Sequence, residues 1–374
     1  MNFDNWYQTI HEKVQLTTGK EFRIQHFGST GVVSEANGIS VGNTSERDKD
    51  KVPEIDFLDV EPVLSPDHIL AIVYNIDPPV EDQKFRPAIL IANSDYNSKL
   101  ITELTQRKQQ TEIERGSTTK IISWYYFAHA FIALDWYRQY RFYTNEDLIK
   151  NRTFTHNFVT QNRLVSGARN YRLVLMSELE ERGLTDDALV SYTRYQEEHT
   201  RYVLPANKIT KIKQYCSTSK RFDELGDIIE NQSMHINVGT HLSSFFNLVT
   251  ETCFYESFNH LTEKTFRPIA MLQPFVLTST PGSLAYLKRY GFKTFDQWID
   301  ERYDTISNPF KRIDAIVRVM DNVCSLSKDQ QQAMYQEMLP TLIHNRNHFY
   351  NDLYDIAYKE MWDNFGLCYS KINP

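Results

Sequence analysis

Cysteine is scarce in this chain, and what there is lies scattered. The four cysteines, Cys216, Cys253, Cys324 and Cys368, form no CxxC pair. That spacing argues against a zinc ribbon or a dithiol redox motif, and scattered thiols fit a reducing compartment. A long apolar run is missing too. The most apolar stretch, Ile121 to Leu134, is too short to span a bilayer and contains His129. The N-terminal segment MNFDNWYQTIHEKVQ has early acids and no apolar centre, so it does not read as a secretory signal. A cytoplasmic protein without a membrane segment is therefore expected, and the sequons at Asn43, Asn151 and Asn231 carry no weight. Gly28-Ser29-Thr30-Gly31 lacks the lysine and spacing of a phosphate loop. No DxD-type metal motif stands in a convincing loop, so no metal and no bound cofactor is expected. Positive charge is not in excess: the formal net charge is −7, which excludes a protein basic all over but leaves room for a local basic patch.

What is present is ordinary for a globular chain of two domains. The 374 residues are 41% hydrophobic and 24% charged. Aromatics are plentiful, with 22 Tyr and 22 Phe, which suits large cores and sugar-stacking surfaces alike.

Short apolar runs bounded by Pro, Gly and Asn predict buried strands at Phe22 to Phe27, Ile69 to Tyr74, Ala88 to Ala92 and Ile121 to Phe127. Residues 34 to 54 read as an irregular loop, and Asn97 to Thr119 as part helix, part loop. Asp135 to Tyr143 follows as loop or helix. Asn157 to Thr160 predicts another strand, then a polar loop from Gln161 to Ala168. Helical spacing of Leu173, Leu175, Met176 and Leu179 predicts a helix over Asn170 to Arg182, stopped by Gly183. A second helix, Ser283 to Tyr290, stops at Gly291. From Phe310 to Phe365 the chain reads as helical with one break at Pro340. The pattern is α/β: an N-terminal lobe over residues 1–153, a second lobe over 154–320, and helices over 321–374 packing back on the lobes, with a ligand cleft between the lobes.

The richest stretch runs from Leu248 to Ser279. It reads as strand, loop, helix, strand, with Glu251 after the first strand and Thr262-Glu263-Lys264 opening the helix. Carboxylates and a lysine at the carboxyl rim of a parallel sheet suit a nucleotide sugar: a carboxylate accepts from ribose hydroxyls, and a lysine neutralises a diphosphate. The plain alternative is Thr262 as an N-cap with Glu263 favouring the helix dipole. Upstream, Asn162 and Arg163 stand in the loop before a helix carrying Arg172. Arginine there can grip phosphate, or Arg169 and Arg172 can be the solvated face of that helix. Pro281-Gly282-Ser283 offers a second turn whose N–H groups can face a phosphate, or a plain strand-to-helix turn. The segment from Lys293 to Asp304, with Phe295, Trp298 and Tyr303, reads as an aromatic cap on the core.

Taken together, Gln161-Asn162 with Arg172, Thr250-Glu251-Thr252, Thr262-Glu263-Lys264-Thr265 and Gln273-Pro274-Phe275-Val276 resemble the fucosyltransferase-type glycosyltransferases of family ten. Thr262 to Ile269, Pro274-Phe275 and Gly282 to Phe295 look closer still to phage and viral relatives, which places the protein in a host cell's cytoplasm. The resemblance covers about residues 155 to 320. It implies the two-lobed GT-B fold and transfer of a hexosyl or pentosyl group from a nucleoside-diphosphate sugar, the co-substrate. By the same resemblance Glu263 binds the ribose, Lys264 and Arg172 bind phosphate, and Glu251 faces the donor sugar as a catalytic group, with Asn162, Arg163 and Thr262 completing the donor site. Thr-Glu-Thr-Cys stands where the family has Phe-Glu-Asn-Ser, and Met271-Leu272-Gln273 replaces small residues before the last strand. Both departures surround the donor pocket and weigh against fucose.

The catalytic base is expected from the N-terminal lobe, among Glu54, Asp56, Asp59, Asp77, Asp95 and Asp135. Asp135 leads, because it sits beside Trp136 and Arg138 and near His129; the alternative is a structural Asp–Arg pair. These residues and His26 form the expected acceptor surface, with Lys208, Lys211 and Lys213 from the basic run ending at Arg221. That run is either a solvated face or a strip that tracks DNA. The acceptor read first is a hydroxymethylcytosine hydroxyl in phage DNA; the rivals are a glycan-directed enzyme and an inactive nucleotide- or nucleic-acid-binding module.

Overall fold

The computed structural model describes the backbone of residues 22–27, 35–36, 39–40, 69–74, 89–92 and 122–125, and residues 127–196, 204–220, 234–255 and 259–372, of which the side chains at 128, 365 and 368–372 are excepted. The chain divides into one unit of Met1–Asp135 with Asp355–Pro374 and a second of Trp136–Tyr354.

In the first unit, strands β1 (Phe22–Phe27), β4 (Ile69–Tyr74), β5 (Ile89–Ala92) and β6 (Ile122–Tyr125) form a four-stranded sheet in the order β1-β4-β5-β6. Every pair is parallel. Residues 34 to 54 are not wholly irregular: β2 (Glu35–Ala36) and β3 (Ile39–Ser40) pair antiparallel. Glu54, Asp56, Asp59, Asp77, Asp95 and the segment from Asn97 to Thr119 lie outside the described residues. His26 is on β1, its side chain outside the description.

The apolar run from Ile121 splits into β6 and helix α1 (Ala128–Tyr137). A 3-10 turn, Arg138–Phe142, leads to α2 (Asn145–Lys150), started by a capping box between Thr144 and Asp147. Then follow β7 (His156–Asn162), α3 (Tyr171–Glu181), β8 (Leu189–Tyr192), α4 (Ala206–Tyr215) and α5 (Val238–Ser243). Next come β9 (Ser244–Thr250), α6 (Glu263–Ala270), β10 (Phe275–Thr278) and α7 (Ser283–Arg289). Helices α8 (Pro309–Cys324), α9 (Lys328–Asn351) and α10 (Leu353–Ile372) close the described chain. Gly183 and Gly291 end α3 and α7 with φ of 68° and 90°, where a side chain is strained.

The second unit's sheet runs β10-β9-β7-β8, again all parallel. Each strand-to-strand step carries a helix, so this is an α/β unit of Rossmann type, and two parallel sheets in two units are the parts of which a GT-B fold is built. All seven residues of β9 are buried, so protein covers both faces of that strand. Phe158, Phe245, Phe246, Phe275 and Phe295 lie in the core. Phe295 meets Phe275 edge-on at 5.1 Å, and the Tyr303 hydroxyl accepts from the Leu277 N–H at 3.2 Å, so the 293–304 segment caps the core as its aromatics suggested.

Three local expectations are corrected. Pro340 sits inside α9 and does not break it. Its ring removes a hydrogen bond, but the burial of Tyr335, Met338 and Leu342 around it outweighs that loss. The solvated-face reading of Arg172 fails, because α3 is buried continuously from Tyr171 to Leu179. The strand before it runs on through Asn162, taking two residues from the polar loop.

Candidate functional site

The chain lays β8 beside β7, then returns to place β9 on the other side. The strand order reverses between β7 and β9. In open parallel sheets the crevice at the carboxyl ends of such a strand pair is where ligands bind. Gln161 and Asn162 end β7 there, Thr250 ends β9, and Glu251 follows it.

Asn162 is buried between the strands. Its side-chain oxygen accepts from Thr250 Oγ1 at 2.6 Å, and its amide donates to Thr160 Oγ1 at 3.2 Å. Arg172 reaches the same corner from α3. It donates to the carbonyls of Leu164 (2.7 Å), Thr250 (3.0 Å) and Glu251 (2.9 Å), while its Nε–H lacks an acceptor. The preceding Tyr171 donates to the Glu251 carbonyl at 2.5 Å and stacks on Phe254 at 4.1 Å. Burial pushes the Tyr171 hydroxyl up to about 12, so it stays a donor. Arg163, by contrast, is exposed.

Glu251 is fully buried. Its Oε1 accepts from Thr262 N (2.9 Å) and Thr265 Oγ1 (2.6 Å); its Oε2 accepts from Thr262 Oγ1 (2.6 Å) and Thr252 N (3.3 Å). A carboxylate has about four acceptor positions, and here each has a donor. The end of β9 is thereby tied to the start of α6. Thr262 caps that helix, as its position before Glu263 suggested. The Lys264 ammonium donates to Thr262 Oγ1 (3.1 Å) and Glu263 Oε1 (2.8 Å) and remains 28% exposed. The carbonyls at the far end of α6 are held by arginines: Arg346 donates to Ala270 O at 2.9 Å and Arg152 to Met271 O at 2.5 Å. Leu272 then turns the chain with φ 50°, and Gln273 N closes back on Pro268 O at 2.9 Å. This turn is what the Met271-Leu272-Gln273 departure builds. Beside it His241, bonded through Nδ1 to Gln273 Oε1 at 2.7 Å, is held neutral, its pKa lowered by burial to about 3.

One group was not singled out from the sequence. Arg267 of α6 donates to Gln161 Oε1 at the end of β7. Burial would lower its pKa, but Tyr137 and Glu263 nearby more than offset that, and the guanidinium is held charged. Glu263 and Arg267 are four residues apart on one helix, so this neighbourhood was legible as an i,i+4 pair.

The other expected anion turn is already filled. The Asp304 carboxylate accepts from Leu284 N at 3.1 Å, and the Asp304 carbonyl accepts from Gly282 N at 2.8 Å. Pro281-Gly282-Ser283 is therefore the plain turn, with an internal acid where a phosphate would sit. The basic run is likewise engaged. Lys208 donates to Glu178 Oε1 (2.7 Å), and Lys211 to Glu178 Oε2 (2.8 Å) and Glu181 Oε2 (2.6 Å). Lys213 is exposed. The first two lysines reach from α4 to α3, which corrects their reading as part of an outward strip. On α1, His129 is buried and Asp135 and Trp136 are half-buried, while Arg138 beyond its end is exposed. Asp135 belongs to the first unit and the β7–β9 corner to the second. Among the described residues no three His, Cys, Asp or Glu side chains converge on a metal position, and no helix is long and apolar enough to cross a membrane.

No family model matches the chain, and no curated protein does. Among solved structures it is similar to the trehalose-6-phosphate phosphatase N-terminal domain of Candida albicans, at 9% identity and a TM-score of 0.35, over 81% of this chain and 72% of that one. It is similar also to an α,α-trehalose-phosphate synthase (UDP-forming) of Burkholderia xenovorans in complex with glucose-6-phosphate, at 10% identity and 0.37, over 82% and 75%. The α,α-trehalose 6-phosphate synthase of Burkholderia multivorans gives 12% identity and 0.35, over 80% and 74%. At such scores the likeness assigns no residue and no substrate.

Proposed function

We propose that the protein is a glycosyltransferase that draws on a nucleoside-diphosphate sugar. The observation that carries this reading is the corner where β7 and β9 part. A helix start bearing a partly exposed lysine, Lys264, is anchored at the rim of a parallel sheet at its switch point. A cation fixed there stabilises the charge that develops on a departing diphosphate without moving during the reaction. Exposed Arg163 adds a second donor within the same loop cluster. Glu263 serves the ribose, and Asp135 deprotonates the acceptor hydroxyl. Arg172 supports the site from behind, through the carbonyls it holds.

For the acceptor, a hydroxymethylated DNA base was the finer reading from the sequence. Lys208 and Lys211 are spent on Glu178, which removes most of the basic strip behind it and favours a glycan or small-molecule hydroxyl. Purified protein with UDP, GDP, dTDP and CMP species should show a thermal shift with one nucleotide. A ligand at 100 times its dissociation constant adds about 2.7 kcal/mol of stability. The responding nucleotide's sugar conjugates are then incubated with glycan acceptors and with hydroxymethylcytosine DNA, and products are weighed by mass spectrometry. No shift with any nucleotide overturns the donor reading; binding without turnover on either acceptor leaves a binding module; a sugar on DNA alone restores the DNA reading.

A further inference from the structure

The geometry points to Glu251 and Thr262 as a positioning relay that sets the Lys264 ammonium, with neither residue touching the substrate. The inference rests on Lys264 as the donor's phosphate cation, and it goes beyond that reading by assigning the buried acid behind it. Three observations carry it. First, Glu251 has a donor at each of its acceptor positions: two backbone N–H groups and two threonine hydroxyls. A substrate hydroxyl has no lone pair left to donate to, and the residue is fully buried. Second, Thr262 Oγ1 carries a single hydrogen. A carboxylate only accepts, so that hydrogen is committed to Glu251 Oε2 across 2.6 Å. Third, the oxygen's lone pairs are thereby turned toward Lys264, whose Nζ lies at 3.1 Å and whose backbone N lies at 3.4 Å. Glu251 thus dictates which way the Thr262 hydroxyl points, and the hydroxyl's direction decides whether it attracts the ammonium or repels it. Glu263 Oε1, at 2.8 Å, also holds the ammonium.

The relay makes the group at 251 matter as a pure acceptor and not for its shape. In Glu251→Gln the amide nitrogen presents hydrogens to Thr262 Oγ1. The hydroxyl then has to accept, and its own hydrogen turns toward an ammonium that can only donate. Thr262→Val removes the hydroxyl at nearly constant volume, and Thr262→Ser keeps it.

Two readouts test the relay. Calorimetry with UDP and GDP, beside uridine and guanosine, measures the phosphate-dependent part of binding. Thr262→Ser should stay within about threefold of the parent. Thr262→Val and Glu251→Gln should lose about tenfold or more for the diphosphate and nothing for the nucleoside. The second readout needs no ligand. Lysines carrying ¹³C-methyl groups are followed by NMR, with the Lys264 signal assigned through Lys264→Arg. That signal should move in Thr262→Val and Glu251→Gln and stay in Thr262→Ser. A Thr262→Val protein that folds, with the Lys264 signal unmoved, overturns the relay. If Glu251→Gln does not fold, the Thr262 pair decides. If no nucleotide binds the parent protein, the donor reading fails, and the NMR result still decides the relay.

Discussion

Two helices of the second unit, α6 and α7, begin just beyond parallel strands of one sheet, and both starts looked from the sequence like places for a phosphate. They have been used differently. At α7 an acid from within the chain, Asp304, accepts from the first-turn Leu284 N–H and fills the place an anion would take. At α6 the acid, Glu251, lies behind the N-cap, tying Thr262 and Thr265 to the end of β9, and a cation stands at the front. A helix N-terminus attracts negative charge in either case. What separates the two starts is where the chain's own acid sits: on a first-turn N–H at α7, and on the N-cap residue at α6, with a lysine beside it.

Three experiments sharpen or break this contrast. The largest effect is expected at Asp304. Asp304→Ala leaves the buried Leu284 amide hydrogen at the start of α7 without its carboxylate acceptor, which costs about 2–3 kcal/mol of stability. The denaturant midpoint should fall accordingly, while nucleotide affinity stays put. A variant of normal stability that loses nucleotide binding would make α7 the phosphate site and reverse the comparison.

Lys264→Ala should do the opposite. Its side chain is partly exposed, so stability should change by less than about 0.5 kcal/mol. Diphosphate affinity should fall by about 1.5–3 kcal/mol, the worth of a charge-assisted contact, or about 10- to 150-fold in Kd. Equal calorimetric curves for parent and variant would remove the cation from the site.

The smallest effect concerns charges that serve only the fold. Burial would raise the Glu178 carboxyl, but hydrogen bonds from Lys208 and Lys211 outweigh it and hold the group below its ordinary range. A depressed folded-state value means that this stability is present above the unfolded pKa of about 4.3 and is lost as pH falls through the folded value. Replacing both lysines by alanine should remove about 1–2 kcal/mol at neutral pH and flatten the loss below about pH 4. Denaturant midpoints at pH 7 and pH 3 check it. An unchanged neutral-pH midpoint, with a loss of DNA retention in its place, would return these lysines to an outward role.

Much of the fold was legible because its signals are local. The runs Phe22–Phe27 and Ile69–Tyr74 were bounded correctly by flanking polar residues, and β9, α6 and β10 fell where apolar runs and Thr262 put them. Gly183 and Gly291 marked the ends of α3 and α7 through a backbone angle that few other residues accept. The short strand β8, Leu189–Tyr192, passed unnoticed, since four residues with one serine among them carry little periodicity. Pro340 misled because a local breaker was overruled by packing. Within the site the same division holds. The cap at Thr262 was legible from its neighbours, whereas Arg163 and Arg172, both read as donor-site arginines, ended on opposite sides of the surface.

The sequence by itself determined where strands and helices alternate, which threonine starts α6, and which residues bring charge to the carboxyl rim of the second sheet. Only the tertiary structure decided what those charges hold. Arg172 meets carbonyls 78 and 79 positions away, and Glu251 meets the hydroxyl of a residue 11 positions on. The physical reason is that a buried polar group must find its partner wherever the fold brings one within about 3 Å. Local propensity names the residue and its backbone, but the distance that turns a charge into a clamp, a cap or an ion pair exists only after the sheet has ordered its strands.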